Sequence, residues 1–242
     1  MLEGFQRYLA YEGKSENTIK SYIGHVEGFI KWHTGSFGMR PHKLQRVVVL
    51  DYISYLRSVK NVSSKTINAK VCALIKLNNY LVNKGIQDNN AISKRDKVQQ
   101  KQEEVNRGGI TPEAVEEFRQ TILEHETYRD YVLVTVLAYG GLRISEALGL
   151  RVSDIDFAGG VLTIDDGVKN KTRRVSVDDA VMEVIGEYIK ERKNNYGNSK
   201  YIFASRQREK LNRTRVNQIF NKHSNSITPS KLRHFYYSKA DY

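Results

Sequence analysis

The apolar run Tyr131-Val-Leu-Val-Thr-Val-Leu-Ala-Tyr139 passes directly into Gly140-Gly141-Leu142-Arg143-Ile144-Ser145-Glu146. A run this apolar predicts a buried helix over about residues 129–139, and a chain containing it must build a core around that helix. The glycine pair then stops the run and delivers an arginine where bulk apolar sequence predicts only packing. An arginine held rigidly beside a core helix suits the grip of an anion. The alternative is a snorkelling or salt-bridged arginine at the edge of the core.

A second arginine stands in similar company. Thr228-Pro229-Ser230-Lys231-Leu232-Arg233-His234 predicts a helix start, with Thr228 as N-cap and Pro229 at the first helical position. Ser230, Arg233 and His234 then share one helix face. Between the two arginines, Val161-Leu-Thr-Ile164 and Thr172-Arg-Arg-Val-Ser-Val177 flank Asp-Gly and Lys-Asn-Lys turn chemistry. That pattern predicts a hairpin with Lys169 and Lys171 at an exposed tip.

These pieces, in this order and at these intervals, resemble the tyrosine recombinase (phage-type integrase) family over nearly the whole chain. Leu142–Glu146 matches the family's first arginine box and Leu232-Arg233-His234 its second, and the family's hairpin lysine falls near Lys169 or Lys171. Phe5–Leu9 and Gly13–Tyr22 are similar to the opening of its core-binding domain. The resemblance implies a mainly α fold: an N-terminal helical core-binding domain, then a mostly helical catalytic domain with a small antiparallel β-sheet. It implies a site-specific DNA recombinase that works through a covalent 3'-phosphotyrosyl link, as a homotetramer on paired double-stranded sites and with a free monomer possible. The alternative is a non-catalytic DNA-binding protein using the same two-domain clamp.

The chemistry fits the residue types. Attack on phosphorus gathers negative charge on the non-bridging oxygens, which two fixed guanidiniums, Arg143 and Arg233, can stabilise. Glu146, one turn after Arg143, is suited to orient that arginine; otherwise it is a surface or capping carboxylate. Lys169 is the first choice, and Lys171 the second, for the acid that protonates the departing sugar oxygen. Counting without gaps puts Val168 at the family's lysine position. Ser230 stands where the family carries histidine; it can hydrogen-bond a phosphate oxygen but cannot serve as an imidazole. The family's further histidine or tryptophan and its nucleophilic tyrosine lie on helices beyond the second arginine, whereas nine residues follow Arg233, so a chain lacking that segment is expected. Tyr236 and Tyr237 read as core or helix-surface aromatics, Tyr242 is terminal, and the nucleophile stays unassigned.

Composition agrees. With 39 Lys+Arg against 27 Asp+Glu, a net charge of +12 favours a polyanion partner, although solvated helices can carry such charge for solubility alone. The 15 tyrosines tilt this toward nucleic acid, because phenols bond phosphate and pack on sugar. Cys72, the only cysteine, excludes an internal disulfide and is expected to be a buried small hydrophobe. No metal-ligand cluster or phosphate-cradling glycine loop is visible, so no metal or cofactor is expected. Neither a secretion signal nor a membrane-spanning run is visible, so a soluble, cytoplasmic protein is expected.

Along the chain, helices are predicted over Leu2–Glu12, from a Ser15 cap to about His33, over Val47–Val59, and over Ser64–Asn83 with Gly85 as its stop. On the fourth, Ile67, Val71, Leu74, Asn78, Leu81 and Val82 mark the inner side. Lys65, Lys70 and Lys76 lie away from it, as DNA-groove contacts or a solvated face. Arg173 and His234 are further expected DNA contacts. Residues 1–92 form the expected first domain, 93–109 a linker, and 110–242 the second domain, opened by the Thr111-Pro112-Glu113 cap. Further helices are expected at Asp179–Lys193 and Arg215–His223, with the apolar Tyr201-Ile-Phe203 between them.

Overall fold

The computed structural model describes residues 1–99, 109–165, 172–196, 199–207 and 209–240. The chain divides into two compact units, Met1–Val105 and Asn106–Tyr242.

The first unit is a helical bundle: α1 (Leu2–Tyr11), α2 (Glu16–Phe37), α3 (Arg46–Ser58) and α4 (Ser64–Asn83). Ser15 and Ser63 cap α2 and α4, their hydroxyls accepting from the amides of Thr18 and Thr66, each at 3.3 Å. α2 runs one turn past His33. Nothing breaks it before Gly38, whose φ of +73° gives the left-handed cap, and Phe37 packs edge-on against Trp32. α4 packs against the other three helices, burying Ile67, Val71, Leu74, Leu77 and Leu81.

Asn78 sits wholly buried within that apolar side. Its Oδ1 accepts from the Ala91 amide (2.9 Å) and from Gln87 Nε2 (2.7 Å), and its amide donates to Asn90. One asparagine thus ties α4 to the segment that follows it. Cys72 is half-buried, a correction to the expected buried position, because it lies at the margin of the stripe.

Ser93–Gln99, expected to begin the linker, carries fixed contacts to the bundle. A 3-10 turn at Lys94–Asp96 closes with a capping box. Asp96 binds Arg46 at the start of α3 (2.8 Å), and Asn68 of α4 exchanges hydrogen bonds with the Val98 backbone at 2.9 and 2.8 Å. Polar side chains do much of the fastening, with Val98 also packed against the core, so low hydrophobicity here does not mean a loose segment.

The second unit contains α5 (Pro112–His125), α6 (Tyr128–Tyr139), α7 (Ile144–Gly149), β1 (Ile155–Asp156), β2 (Val161–Asp165), β3 (Thr172–Ser176), α8 (Asp179–Tyr196), α9 (Arg213–His223) and α10 (Pro229–Ala240). Every residue of α6 from Val132 to Ala138 is buried, as the apolar run requires, and α5, α8 and α10 pack around it. The strands form one antiparallel sheet in the order β1-β2-β3, with Leu162 opposite Val175 and Ile164 opposite Arg173. Because strand side chains alternate, Arg173 shares the inner face with the buried Val175, while Arg174 turns outward and lies 3.6 Å from Asp156. The mainly α fold with a small antiparallel sheet is therefore as expected. β1 was not anticipated, α8 runs on to Tyr196, and α9 starts earlier, at Arg213, where Asn212 caps it. Among the described residues no helix is long and apolar enough to cross a membrane.

The Asn78 network yields a test of the first unit. Asn78→Ala strands the Ala91 amide and the Gln87 side chain and should cost about 3 kcal/mol. Hydrogen exchange of the α4 amides in the intact chain should accelerate accordingly, with α6 amides unchanged.

Candidate active site

Arg143 and Arg233 are each preceded by a leucine that is 0% exposed, Leu142 and Leu232. The leucines anchor the backbone in the core, and the arginines emerge beside them. After α6, Gly140 closes the helix and Gly141 turns with φ +59°; a Cβ on Gly141 would collide with the Tyr236 ring. Arg143 then takes the N-cap position of α7, and Glu146, three residues on, reaches back to accept from the Arg143 amide at 2.7 Å.

Glu146 is the hub. Its side chain is 4% exposed, and three guanidiniums converge on it. Arg143 Nη1 donates to Oε1 at 2.7 Å, and Arg173 donates to both oxygens, from Nη1 at 2.9 Å and Nη2 at 2.8 Å. Arg233 Nη1 donates to Oε2 at 3.3 Å and to the Gly141 carbonyl at 2.6 Å. Burial pushes the Glu146 carboxyl up. The hydrogen bonds from Arg173 and from the Arg143 amide and guanidinium outweigh it and hold the group down at about 2. Among the described residues, three guanidiniums thus share this one carboxylate.

Arg143 and Arg233 line one cavity of about 300 Å³, together with Ser230, His234, Arg213 and Tyr237. A neighbouring hollow of about 470 Å³ shares Ser145 and Arg213 with it and continues past Lys210 and Asn212. Such a surface can seat a phosphate and lead a polyanionic strand away from it.

The structure thus gathers Arg143, Glu146, Arg173, Ser230, Arg233 and His234 in one neighbourhood. Arg143 is salt-bridged at the core edge, and it also lines the cavity. Arg173, expected as a DNA contact, is placed on Glu146 within the arginine cluster. The period-2 pattern Arg173, Val175, Val177 carried that signal. Arg213 and Tyr237 were not anticipated as lining residues; Tyr237 lies four positions after Arg233, the spacing that puts two side chains on one helix face. Lys169, Lys171 and Tyr242 lie outside the described residues.

In the first unit Lys65 is exposed and Lys70 half-buried. Lys76 is held by Glu12 at 2.8 and 3.0 Å, an ion pair joining α4 to the end of α1. Its charge is engaged inside the bundle, so it does not lie on a simple solvated lysine face.

A family model described as "Phage integrase family" matches residues 109–238, and one described as "Phage integrase, N-terminal SAM-like domain" matches residues 1–88. The chain belongs to the phage integrase family. It is 40% identical over 238 residues to the TnP I resolvase of Bacillus thuringiensis, an alignment spanning 98% of this chain and 84% of that one. It is 28% identical to the tyrosine recombinase XerA of Pyrococcus furiosus, spanning 97% and 77%. Among solved structures, the Tn1549 transposon integrase in complex with circular intermediate DNA has a TM-score of 0.73 at 18% identity, with 99% of this chain and 86% of that one covered. A lambda integrase tetramer bound to a Holliday junction has a TM-score of 0.72 at 14% identity, spanning 97% and 70%. At such identities the structural likeness speaks for the fold. The expected fold and family are therefore established together.

The shift at Glu146 sets a pH window. Its folded value lies below the ordinary 4.5, so its contribution is complete above pH 4.5 and is lost as pH falls toward about 2. A displacement of this size corresponds to about 3 kcal/mol. Glu146→Gln should therefore be less stable than the unaltered chain at neutral pH by about that amount, and thermal unfolding should show the gap narrowing between pH 4.5 and 2.

Proposed function

We propose that this chain is a site-specific DNA recombinase that breaks and rejoins double-stranded DNA through a covalent 3'-phosphotyrosyl intermediate. The observation that carries the reading is the pair Arg143 and Arg233, distant in sequence, lining one cavity while sharing one buried carboxylate. In the reaction, a tyrosine oxygen bonds to phosphorus and the bond to the sugar's 5' oxygen breaks. Negative charge grows on the non-bridging oxygens, where the two guanidiniums stabilise it. Glu146 and Arg173 hold these arginines in place. Ser230 donates its hydroxyl to a phosphate oxygen, and a hairpin lysine, Lys169 first and Lys171 second, delivers the proton to the leaving oxygen. The tyrosine nucleophile is assigned to neither Tyr236 nor Tyr237.

The DNA strand runs from the cavity along the hollow beside Arg213 and Lys210, and the first unit contributes Lys65 and Lys70 to the backbone. Net charge +12 supports this route. By likeness to the lambda integrase tetramer on a Holliday junction, the working assembly is a homotetramer on paired sites, in the cytoplasm. Residues 1–92 serve as the core-binding domain and 110–242 as the catalytic domain. Ser230, in place of an imidazole, favours a second reading, a DNA-binding protein that does not cleave.

The decisive experiment uses nicked duplexes carrying a site selected from a random-sequence pool by binding to the chain. A protein–DNA adduct that survives heat and detergent is expected. Arg143→Ala or Arg233→Ala should slow its formation about 10²–10³-fold. Tight, sequence-selective binding with no adduct would establish the second reading, and failure to bind DNA would reject both. Arg213→Ala, away from the Glu146 cluster, should lower the magnitude of the log Kd against log [salt] slope by about 0.9, the loss of one phosphate contact.

A further inference from the structure

Arg233 is fixed through its Nη1 by the Gly141 carbonyl and by Glu146, and a third contact comes from its own helix. The centre of its guanidinium lies 5.0 Å from the centroid of the Tyr237 ring, over the face of that ring. Tyr237 is 43% exposed and lines the same cavity, so its presence there is not explained by core packing. Tyr236 meets Tyr237 edge-to-face, with centroids 5.2 Å apart and planes at 86°. On its other side Tyr236 packs against Gly141, the residue whose carbonyl accepts from Arg233. The two tyrosines therefore touch the arginine's surroundings from both directions, one beneath the guanidinium and one against its backbone acceptor.

We infer that Tyr237, braced by Tyr236, is a positioning residue for Arg233: its ring face holds the guanidinium in the orientation that meets a phosphodiester oxygen. This rests on the reading of the cavity as a phosphate site. The working part of Tyr237 is the ring and not the hydroxyl, because a cation is attracted to the electron-rich face of an aromatic ring. A leucine would fill similar space without that attraction, and a phenylalanine would keep it.

The test is NMR of the arginine side-chain Nε–Hε groups in the full chain, titrated with inorganic phosphate. In the unaltered chain, Arg143 and Arg233 signals should both move with phosphate, and Arg233 side-chain protons should carry the upfield shift of a group above a ring. Tyr237→Phe should keep that shift and the phosphate affinity. Tyr237→Leu should lose the shift and weaken phosphate binding about 2- to 5-fold, with an unchanged melting temperature. A Tyr237→Leu chain that binds phosphate as tightly as the unaltered one overturns the inference. So does a Tyr237→Phe chain as weak as the leucine variant, which would assign the role to the hydroxyl. If the unaltered chain shows no response of Arg143 or Arg233 to phosphate, the phosphate-site reading itself fails, and the inference falls with it.

Discussion

A buried carboxylate shared by three guanidiniums organises the second unit. An ionised Glu146 would be costly in the protein interior without compensation, and a single arginine would offset that cost only in part. Here Arg143 comes from the turn before α7, Arg173 from β3 and Arg233 from α10, so one side chain ties three elements together. The bonds are mutually dependent. Removing the carboxylate leaves three like charges crowded together, and removing Arg173 takes away a guanidinium that bonds both carboxylate oxygens.

Apolar packing does the long-range part of that assembly. α6 is buried from Val132 to Ala138, and α10 packs against it, which brings Arg233 within reach of the chain leaving α6. The fully buried Leu142 and Leu232 set the depth of the two arginines, and Gly141 lets α10 approach closely enough for its carbonyl to meet the Arg233 guanidinium. The arginines are thus positioned by the core first and by hydrogen bonds second. An exposed loop could not hold two cations on one cavity with comparable precision.

The parts of this arrangement written in local pattern were legible. Caps at Ser15, Thr111 and Thr228 mark real helix starts, and α4 runs over the span that its stripe predicts. The two arginine boxes point to one site through the family resemblance, and the buried leucine before each arginine is what sets its depth. Features that depend on a distant partner were not legible. Asn78 sits among apolar positions, and only its partners at 87–91 explain it. Asp96 and Asn68 fasten a stretch whose composition resembles a linker. Lys76 resembles its neighbours on α4 until Glu12 is seen beside it. Arg173 belongs with these: alternation with Val175 puts its side chain on the core face, and only Glu146 explains the charge there.

The same cluster separates charge from geometry in the chemistry. Glu146 is held near 2, so it stays ionised at neutral pH and its pairing with the three guanidiniums persists there. Arg173 reinforces this by taking both carboxylate oxygens, while Arg143 and Arg233 each contact the carboxylate side chain through Nη1. The carboxylate steers those two guanidiniums without cancelling them. The arginine cluster supplies orientation and charge, and it neither gives nor takes a proton.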